Sequence, residues 1–417
     1  MPMTSHVPVP HLPLHFTGPT VLVTLVGPDR SGVSTRLFGT LGAFEVEVID
    51  VEQLVVRGQL VLSVLVTEPD KLGPAGTGPD LDAAVAALGE ELGLTATVER
   101  GAGDNRPRRV GRAQVVVLGA PLRPAAMAAL TDEIRSEGGN IDRIVRMARY
   151  PVTAIRLEVS GADPDTLQSS LARVGYEQGV DIAVQENGIG RHAQRLVVMD
   201  VDSTLIQGEV IEMIAAHAGC EAQVAEVTEA AMRGELDFAA SLTERVALLE
   251  GVPESVLDEV YGGLQYAPGA RTMIRTLKRL GYRFALVSGG FTRIIERIAE
   301  ELEIDYFAAN ELEVVDGRLT GRVTGEIVDR PGKAAALRRF ADQAGIPVLN
   351  TVAIGDGAND LDMLAAAGLG IAFNAKPLVR DQARTSVNVP YLDAIVYLLG
   401  ITREEIEAAD AADAGRS

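Results

Sequence analysis

Cysteine is almost missing from this chain: Cys220 is the only one in 417 residues. No disulfide can form within it, and a reducing cytoplasm is the expected setting. Long apolar runs are missing too. None reaches the roughly 18 residues that a membrane span needs. The opening MPMTSHVPVPHLPLHF has no basic region ahead of an apolar core. It reads as a Pro-rich, disordered lead-in (1–18), not a secretory signal. Positive charge is scarce: 38 Lys and Arg against 58 Asp and Glu leave a net −20. Such a field disfavours nucleic acid and anionic membranes as partners. A site for an anionic substrate must then be basic locally. Lysine is scarcest, limited to Lys71, Lys278, Lys333 and Lys376. Where Arg supplies nearly every other cation, a retained lysine marks a place suited to a compact ammonium.

What is present is strongly patterned. Over 21–100 the order reads βαββαβ: strands 21–27, 46–56, 59–67 and 94–100, helices 34–44 and 80–93. Arg57-Gly58 marks a hairpin. The same order returns over 114–186, so the first half is an internal duplication, with modules at 19–102 and 112–188. From 194 the texture changes. RLVVMDVD (195–202), RFALVSGG (283–290), TVAIGDG (351–357) and LGIAF (369–373) alternate with helical stretches. Near-continuous apolar strands of this kind predict a parallel sheet covered on both faces, here spanning 194–403. Segment 205–280 is too long for a simple crossover and predicts an inserted helical cap at about 210–268. The acidic end, 404–417, is expected to fray.

Four short stretches carry chemistry. In MDVDST (199–204) Asp200 ends an apolar strand, where open α/β sheets bind ligands. Asp202, two residues on, can project to the same side. One carboxylate could attack phosphorus while the other moves a proton; alone, the pair could equally cap a helix. In GDGANDLDM (355–363) Asp356 and Asp360 offer hard oxygen ligands suited to Mg2+. A Gly/Asn/Asp turn would look similar, but would not explain acids at two strand ends. In LVSGGF (286–291) Ser288 and two glycines allow backbone N–H groups near a phosphate. In RPGKA (330–334) Lys333 falls at the positive end of a helix.

Asp-x-Asp-x-Thr, Ser, Lys and Gly-Asp-Gly-x-Asn-Asp, in this order, resemble the haloacid dehalogenase superfamily of phosphotransferases over roughly 195–400. DVDSTLIQGEVIEMIA (200–215), FAASLTERVALLEGVP (238–253) and LVSGGFT (286–292) resemble the phosphoserine phosphatases within it. The resemblance implies Asp200 as nucleophile and Asp202 as acid and base. It implies Mg2+ on Asp200, Asp356 and the main-chain carbonyl of Asp202. Ser288, Gly289, Lys333 and Asn359 would surround the phosphate. Glu209 would meet the substrate ammonium, Arg245 its carboxylate, and Phe238 would close over the site.

Residues 20–187 resemble tandem ACT domains, βαββαβ modules that bind amino acids at dimer interfaces. VGPDRSGV (26–33) matches the ligand loop through Gly27, Asp29 and Gly32; LGAPLRPAAM (118–127) lacks the Asp-Arg-x-Gly. The implied protein is a homodimeric, cytoplasmic phosphoserine phosphatase of serine biosynthesis, with L-serine as effector. Two alternatives stay open: a phosphatase for another small phospho-metabolite, and an amino-acid-sensing protein with a silent core.

Overall fold

The computed structural model describes residues 16–69, 80–104, 111–186, 195–232 and 236–414. Most of the lead-in, Lys71, part of the first linker, all of NGIGRHAQ and the last three residues lie outside the described residues. The chain divides into two compact units, 1–108 and 109–417.

The first unit runs β1 (Pro19–Pro28), α1 (Val33–Leu41), β2 (Val48–Val56), β3 (Gln59–Thr67), α2 (Leu81–Leu92) and β4 (Thr95–Ala102). Its antiparallel sheet has the order β2-β3-β1-β4. Period-2 alternation turns Val21, Val23, Leu25, Leu62, Val64 and Val66 toward Leu37, Leu41, Val85 and Leu88 of the helices. Arg57 and Gly58 both take positive φ, 51° and 74°, as the tight β2–β3 turn requires. Residues 16–18 are not a disordered lead-in. Asp104 N–H donates to Phe16 O at 3.0 Å and Gly103 N–H to Gly18 O at 2.9 Å, which extends the sheet edge.

The second unit begins with the duplicate: β5 (Arg112–Gly119), α3 (Pro124–Ser136), β6 (Asn140–Ala148), β7 (Thr153–Ser160), α4 (Pro164–Gln178) and β8 (Asp181–Glu186). Its sheet order, β6-β7-β5-β8, repeats the first. The open faces of the two sheets differ. On the open face of the first sheet Leu54 and Val56 of edge strand β2 are exposed, whereas Val116, Leu118, Met147, Ala154 and Ala183 of the second are buried.

The large domain follows: β9 (Leu196–Met199), the cap helices α5 (Val210–Ala218), α6 (Glu221–Met232), α7 (Phe238–Ala247) and α8 (Ser255–Gly263), then α9 (Ala270–Arg279). Next come β10 (Arg283–Phe291), α10 (Thr292–Glu301), β11 (Tyr306–Val315), β12 (Arg318–Thr324) and α11 (Arg330–Ala344). β13 (Thr351–Gly355), α12 (Leu361–Ala366), β14 (Leu369–Phe373), α13 (Pro377–Gln382), β15 (Thr385–Val387), α14 (Ile395–Leu398) and α15 (Arg403–Ala414) complete it. The sheet order is β12-β11-β10-β9-β13-β14-β15. It is parallel except for β12, which forms with β11 an antiparallel edge hairpin absent from the expected strands. All four residues of β9 are buried, because helices cover both faces. The connections diverge on either side of β9, so the crevice for a ligand opens at its carboxyl end.

The linkers into and out of the cap pair with each other: Gln207 N–H donates to Gln265 O and Ala267 N–H to Leu205 O, both at 2.8 Å. Leu392 N–H holds the return linker through Pro268 O at 2.8 Å. Leu392, Tyr397 and Leu398 belong to the same core as the covered face of the β5–β8 sheet. The acidic end is not frayed over its described length. α15 buries Ile406, and Asp410 pairs with Arg275 at 2.9 Å and Arg279 at 2.6 Å on α9. An apolar anchor and two arginines outweigh the acidic composition that suggested fraying.

Candidate active site

Three strand ends meet in the crevice. Asp200 directly follows β9, and its N–H donates to Ile354 O of β13 at 2.9 Å. Its side chain is buried. Asp202 is turned toward the cap. Its Oδ1 accepts from Val210 N–H at 2.8 Å, in the first turn of α5. Its Oδ2 accepts from Ser288 Oγ at 3.1 Å. Ser288 lies fully buried toward the end of β10, where its Oγ accepts from Gly290 N–H at 2.8 Å. Gly289 follows, and a Cβ there would lie 2.9 Å from the Phe238 ring. Only glycine lets that cap aromatic come so close.

Lys333 arrives on α11. Asp329 caps this helix by accepting from Gly332 N–H at 2.8 Å, and Pro331 fits the first turn. Lys333 is fully buried, with Nζ 2.8 Å from Asp200 Oδ1 and 2.7 Å from Asp360 Oδ1. Asp356 follows β13, and its Oδ1 accepts from the buried Thr204 hydroxyl at 2.8 Å. Ligand oxygens of Asp200, Asp356 and Asp360 all lie within 4.8 Å of one another. Asp360 has both oxygens engaged, one by Lys333 and one by Gly357 N–H at 2.9 Å.

Three carboxylates thus face a single ammonium. Burial and then Asp360 push Asp200 well above the ordinary carboxylate range, against the pull of Lys333. Burial, opposed by the Thr204 hydrogen bond and helped by Asp360, lifts Asp356 to about 6. Burial also raises Asp202, despite the opposing Val210 hydrogen bond. For Lys333 burial works the other way, but Asp200 and Asp360 outweigh it and keep the ammonium charged. An excess of buried hard-oxygen donors suits a divalent cation such as Mg2+. Asp200 and Asp356, the members of the cluster with an oxygen left over, could hold one.

The cap contributes an opposed pair. Arg245, on α7, is buried, and its Nη1 lies 3.5 Å from Glu209 Oε2. Glu209 precedes Val210, whose N–H holds Asp202, so the pair stands beside the acidic centre. Asn359 is half-buried with its amide oxygen folded back over Gly357. Among the described residues it makes no hydrogen bond to the acidic cluster. Sequence reading took Thr204 only as the Thr of Asp-x-Asp-x-Thr. It also overlooked Asn310, a fully buried amide whose Nδ2 donates to Gly289 O at 2.8 Å. A lone amide in the apolar strand YFAANELEVV was the available signal.

The candidate regulatory loop lies in the first unit. Asp29 N–H donates to Gly58 O of the hairpin turn at 2.8 Å, and the Asp29 residue is exposed. Gly32, with φ of 91°, stands at the N-terminus of α1 with no side-chain cap, which leaves backbone donors available. In the duplicate, Ala120 and Pro121 occupy the corresponding turn.

Comparison with known proteins agrees with this geometry. A haloacid dehalogenase-like hydrolase family model matches residues 197–365, and ACT domain models match 19–99 and 112–185. A phosphoserine phosphatase of Streptomyces coelicolor is 61% identical over 94% of this chain and 95% of its own. A phosphoserine phosphatase of Mycobacterium tuberculosis is 53% identical over 95% and 97%. The unliganded crystal structure of a probable phosphoserine phosphatase from Vibrio cholerae superposes with a TM-score of 0.56 at 38% identity, covering 69% of this chain and 86% of that one. The chain belongs to the phosphoserine phosphatase family of haloacid dehalogenase-like hydrolases, and it carries tandem ACT domains ahead of the hydrolase core.

Proposed function

We propose that this protein hydrolyses O-phospho-L-serine to L-serine and phosphate as a Mg2+-dependent step of serine biosynthesis in the cytoplasm. The observation that carries the reading is the joint placement of two groups. Asp200 and Asp202 stand between Lys333 and Ser288, with the Glu209–Arg245 pair beside them. Phosphoserine bears a phosphate, an ammonium and a carboxylate, and the crevice offers an opposite for each. Without substrate Glu209 and Arg245 serve as each other's counter-ion. A zwitterion entering between them exchanges that pair for two charge-assisted contacts, and a planar guanidinium suits a carboxylate.

An Asp200 oxygen attacks phosphorus, and the bond from phosphorus to the serine oxygen breaks. Asp202, which burial keeps protonated to higher pH than an ordinary carboxyl, gives its proton to the departing oxygen. Water then attacks the phosphorus of the aspartyl-phosphate and loses its proton to Asp202. The bond to Asp200 breaks and phosphate leaves. Lys333, Ser288 and the Gly289 N–H stabilise the equatorial oxygens, where charge gathers in transfer. Asp200, Asp356 and the Asp202 carbonyl would hold a divalent cation, whose charge would offset repulsion between carboxylate and phosphate. The assigned roles of Asn359, Glu209 and Arg245 belong to this proposal.

Regulation belongs to the first unit. L-serine binds at Gly27, Asp29 and Gly32, where Asp29 faces its ammonium and backbone donors its carboxylate. A homodimer is supported by the apolar residues left exposed on edge strand β2. Turnover of phosphoserine with Mg2+, beside phosphohomoserine and the Asp200→Asn variant, tests the reading. Preferred hydrolysis of phosphoserine, lost in a still-folded variant, is expected. Trapped phosphoryl on a residue other than Asp200 sinks the nucleophile assignment.

A further inference from the structure

β10 and β11 run in register from Ala285 opposite Tyr306 to Val287 opposite Ala308, and pairing resumes at Phe291 opposite Asn310. Val287 to Phe291 is four steps while Ala308 to Asn310 is two, so Ser288, Gly289 and Gly290 leave the ladder as a bulge. Backbone groups released from a ladder in a buried place need other partners. Asn310, fully buried, reaches across the gap, and its Nδ2 donates to Gly289 O at 2.8 Å. The other end of that same peptide group, Gly290 N–H, donates to Ser288 Oγ at 2.8 Å. The peptide is held at both ends and cannot turn over without losing two hydrogen bonds. Ser288 Oγ in turn donates to Asp202 Oδ2 at 3.1 Å.

The other end of the Asn310 amide reaches a second element. Its Oδ1 accepts from Val328 N–H at 2.8 Å. Val328 precedes Asp329, the cap of the helix that delivers Lys333. The direction of the amide is fixed by its partners, since a carbonyl only accepts and an N–H only donates. One side chain therefore spans the two segments that flank the crevice, β10's bulge and the start of α11.

We propose that Asn310 is a positioning residue for phosphate binding, holding the Ser288–Gly290 bulge and the Lys333 helix in one fixed relation. It touches no reacting atom itself. The proposal rests on the phosphatase reading, because it takes the bulge and Lys333 as the phosphate cradle. Asp at this position retains an acceptor for Val328 N–H but sets a carboxylate oxygen against the Gly289 carbonyl. Leu at this position removes both hydrogen bonds at similar volume.

The test uses full-length protein with Mg2+, comparing wild type with Asn310→Asp and Asn310→Leu. Phosphoserine and p-nitrophenyl phosphate are the substrates, and inorganic phosphate is the competitive inhibitor. Displacement of binding groups by a fraction of an ångström to an ångström costs up to about 100-fold. We expect KM for both substrates and the inhibition constant for phosphate to rise together, by about 10- to 100-fold. Inactive molecules do not alter an inhibition constant, so a merely structural role leaves it unmoved. Unchanged KM and inhibition constants, with kcat scaled only by the folded fraction from circular dichroism, overturn the assignment. So does loss of folded protein in both variants, which would make Asn310 a core residue alone. A wild type that cleaves the aryl phosphate but not phosphoserine rejects the substrate reading, while the aryl phosphate arm still decides the role of Asn310.

Discussion

The acidic centre makes a quantitative prediction about stability without a divalent cation. Asp356 has an ordinary value of 3.8 that rises to about 6 in the fold, first through burial. Between those values the folded chain keeps a proton that the unfolded chain has released. Stability contributed by this position therefore falls as pH rises through the window, and the full cost is felt above it. A rise from 3.8 to about 6, at 1.36 kcal/mol per pH unit, comes to about 3 kcal/mol. Asp356→Asn stays neutral at every pH and can still accept from Thr204. In EDTA the two proteins should be about equally stable near pH 4, and the variant should lead by about 3 kcal/mol at pH 8. Saturating Mg2+ should close or reverse the gap, because a cation on Asp356 makes the charged form the favoured one. Urea denaturation followed by far-UV circular dichroism, from pH 4 to 8 with EDTA or Mg2+, measures this. All other titrating groups are shared, so the difference reports position 356 together with its charge coupling to Asp200. A difference that is flat with pH refutes the electrostatic account. Equal gains from Mg2+ in both proteins refute Asp356 as a ligand.

Arg245→Ala should lower kcat/KM for phosphoserine by about 10- to 150-fold, the equivalent of about 1.5–3 kcal/mol for a charged hydrogen bond, and leave an aryl phosphate little changed. Equal losses on both substrates would assign Arg245 to the fold or to phosphate. Glu209→Gln should likewise spare substrates without an ammonium. Asp29→Ala should weaken L-serine binding in calorimetry and inhibition in the same preparation, since linkage makes the binding effects reciprocal. Persistence of both would make the duplicated region a dimerisation platform only. Deleting residues 1–108 should remove this feedback while product inhibition survives. Deletion up to Gly190 is the poorer test, because it uncovers the core around Tyr397 and Leu398 that the β5–β8 sheet buries. Truncation after Gly400 removes Ile406 and Asp410, and should lower the melting temperature by several degrees, corresponding to roughly 1.5–3 kcal/mol for one buried aliphatic side chain.

Much of the site could be read in the chain because its chemistry is local. Asp200, Asp356 and Ser288 each lie at or near the end of an apolar run, and a run buried on both faces must end where the sheet opens to ligand. The duplicated βαββαβ order was equally legible, since period-2 and helical spacings are written in adjacent residues. The scarcity of lysine also carried information. Lys333 is fully buried between two carboxylates, a place that a compact ammonium fills.

Other features depended on residues far apart in the chain, and local patterning does not carry those. An acidic segment reads as frayed until its one isoleucine finds a core and one aspartate finds two arginines on α9. The two ACT sheets share their strand order, and the open face of the second is buried against the phosphatase core. Asn310 is the one amide in its strand until the β10 bulge places a carbonyl 2.8 Å away. The sequence by itself determined the duplicated modules, the central strands of the large sheet and which strand ends bear acids, because propensity and periodicity act between neighbours. Only the tertiary structure decided which charges pair and which hydrogen bonds close. Those energies depend on distance and burial across elements, and the fold alone sets them.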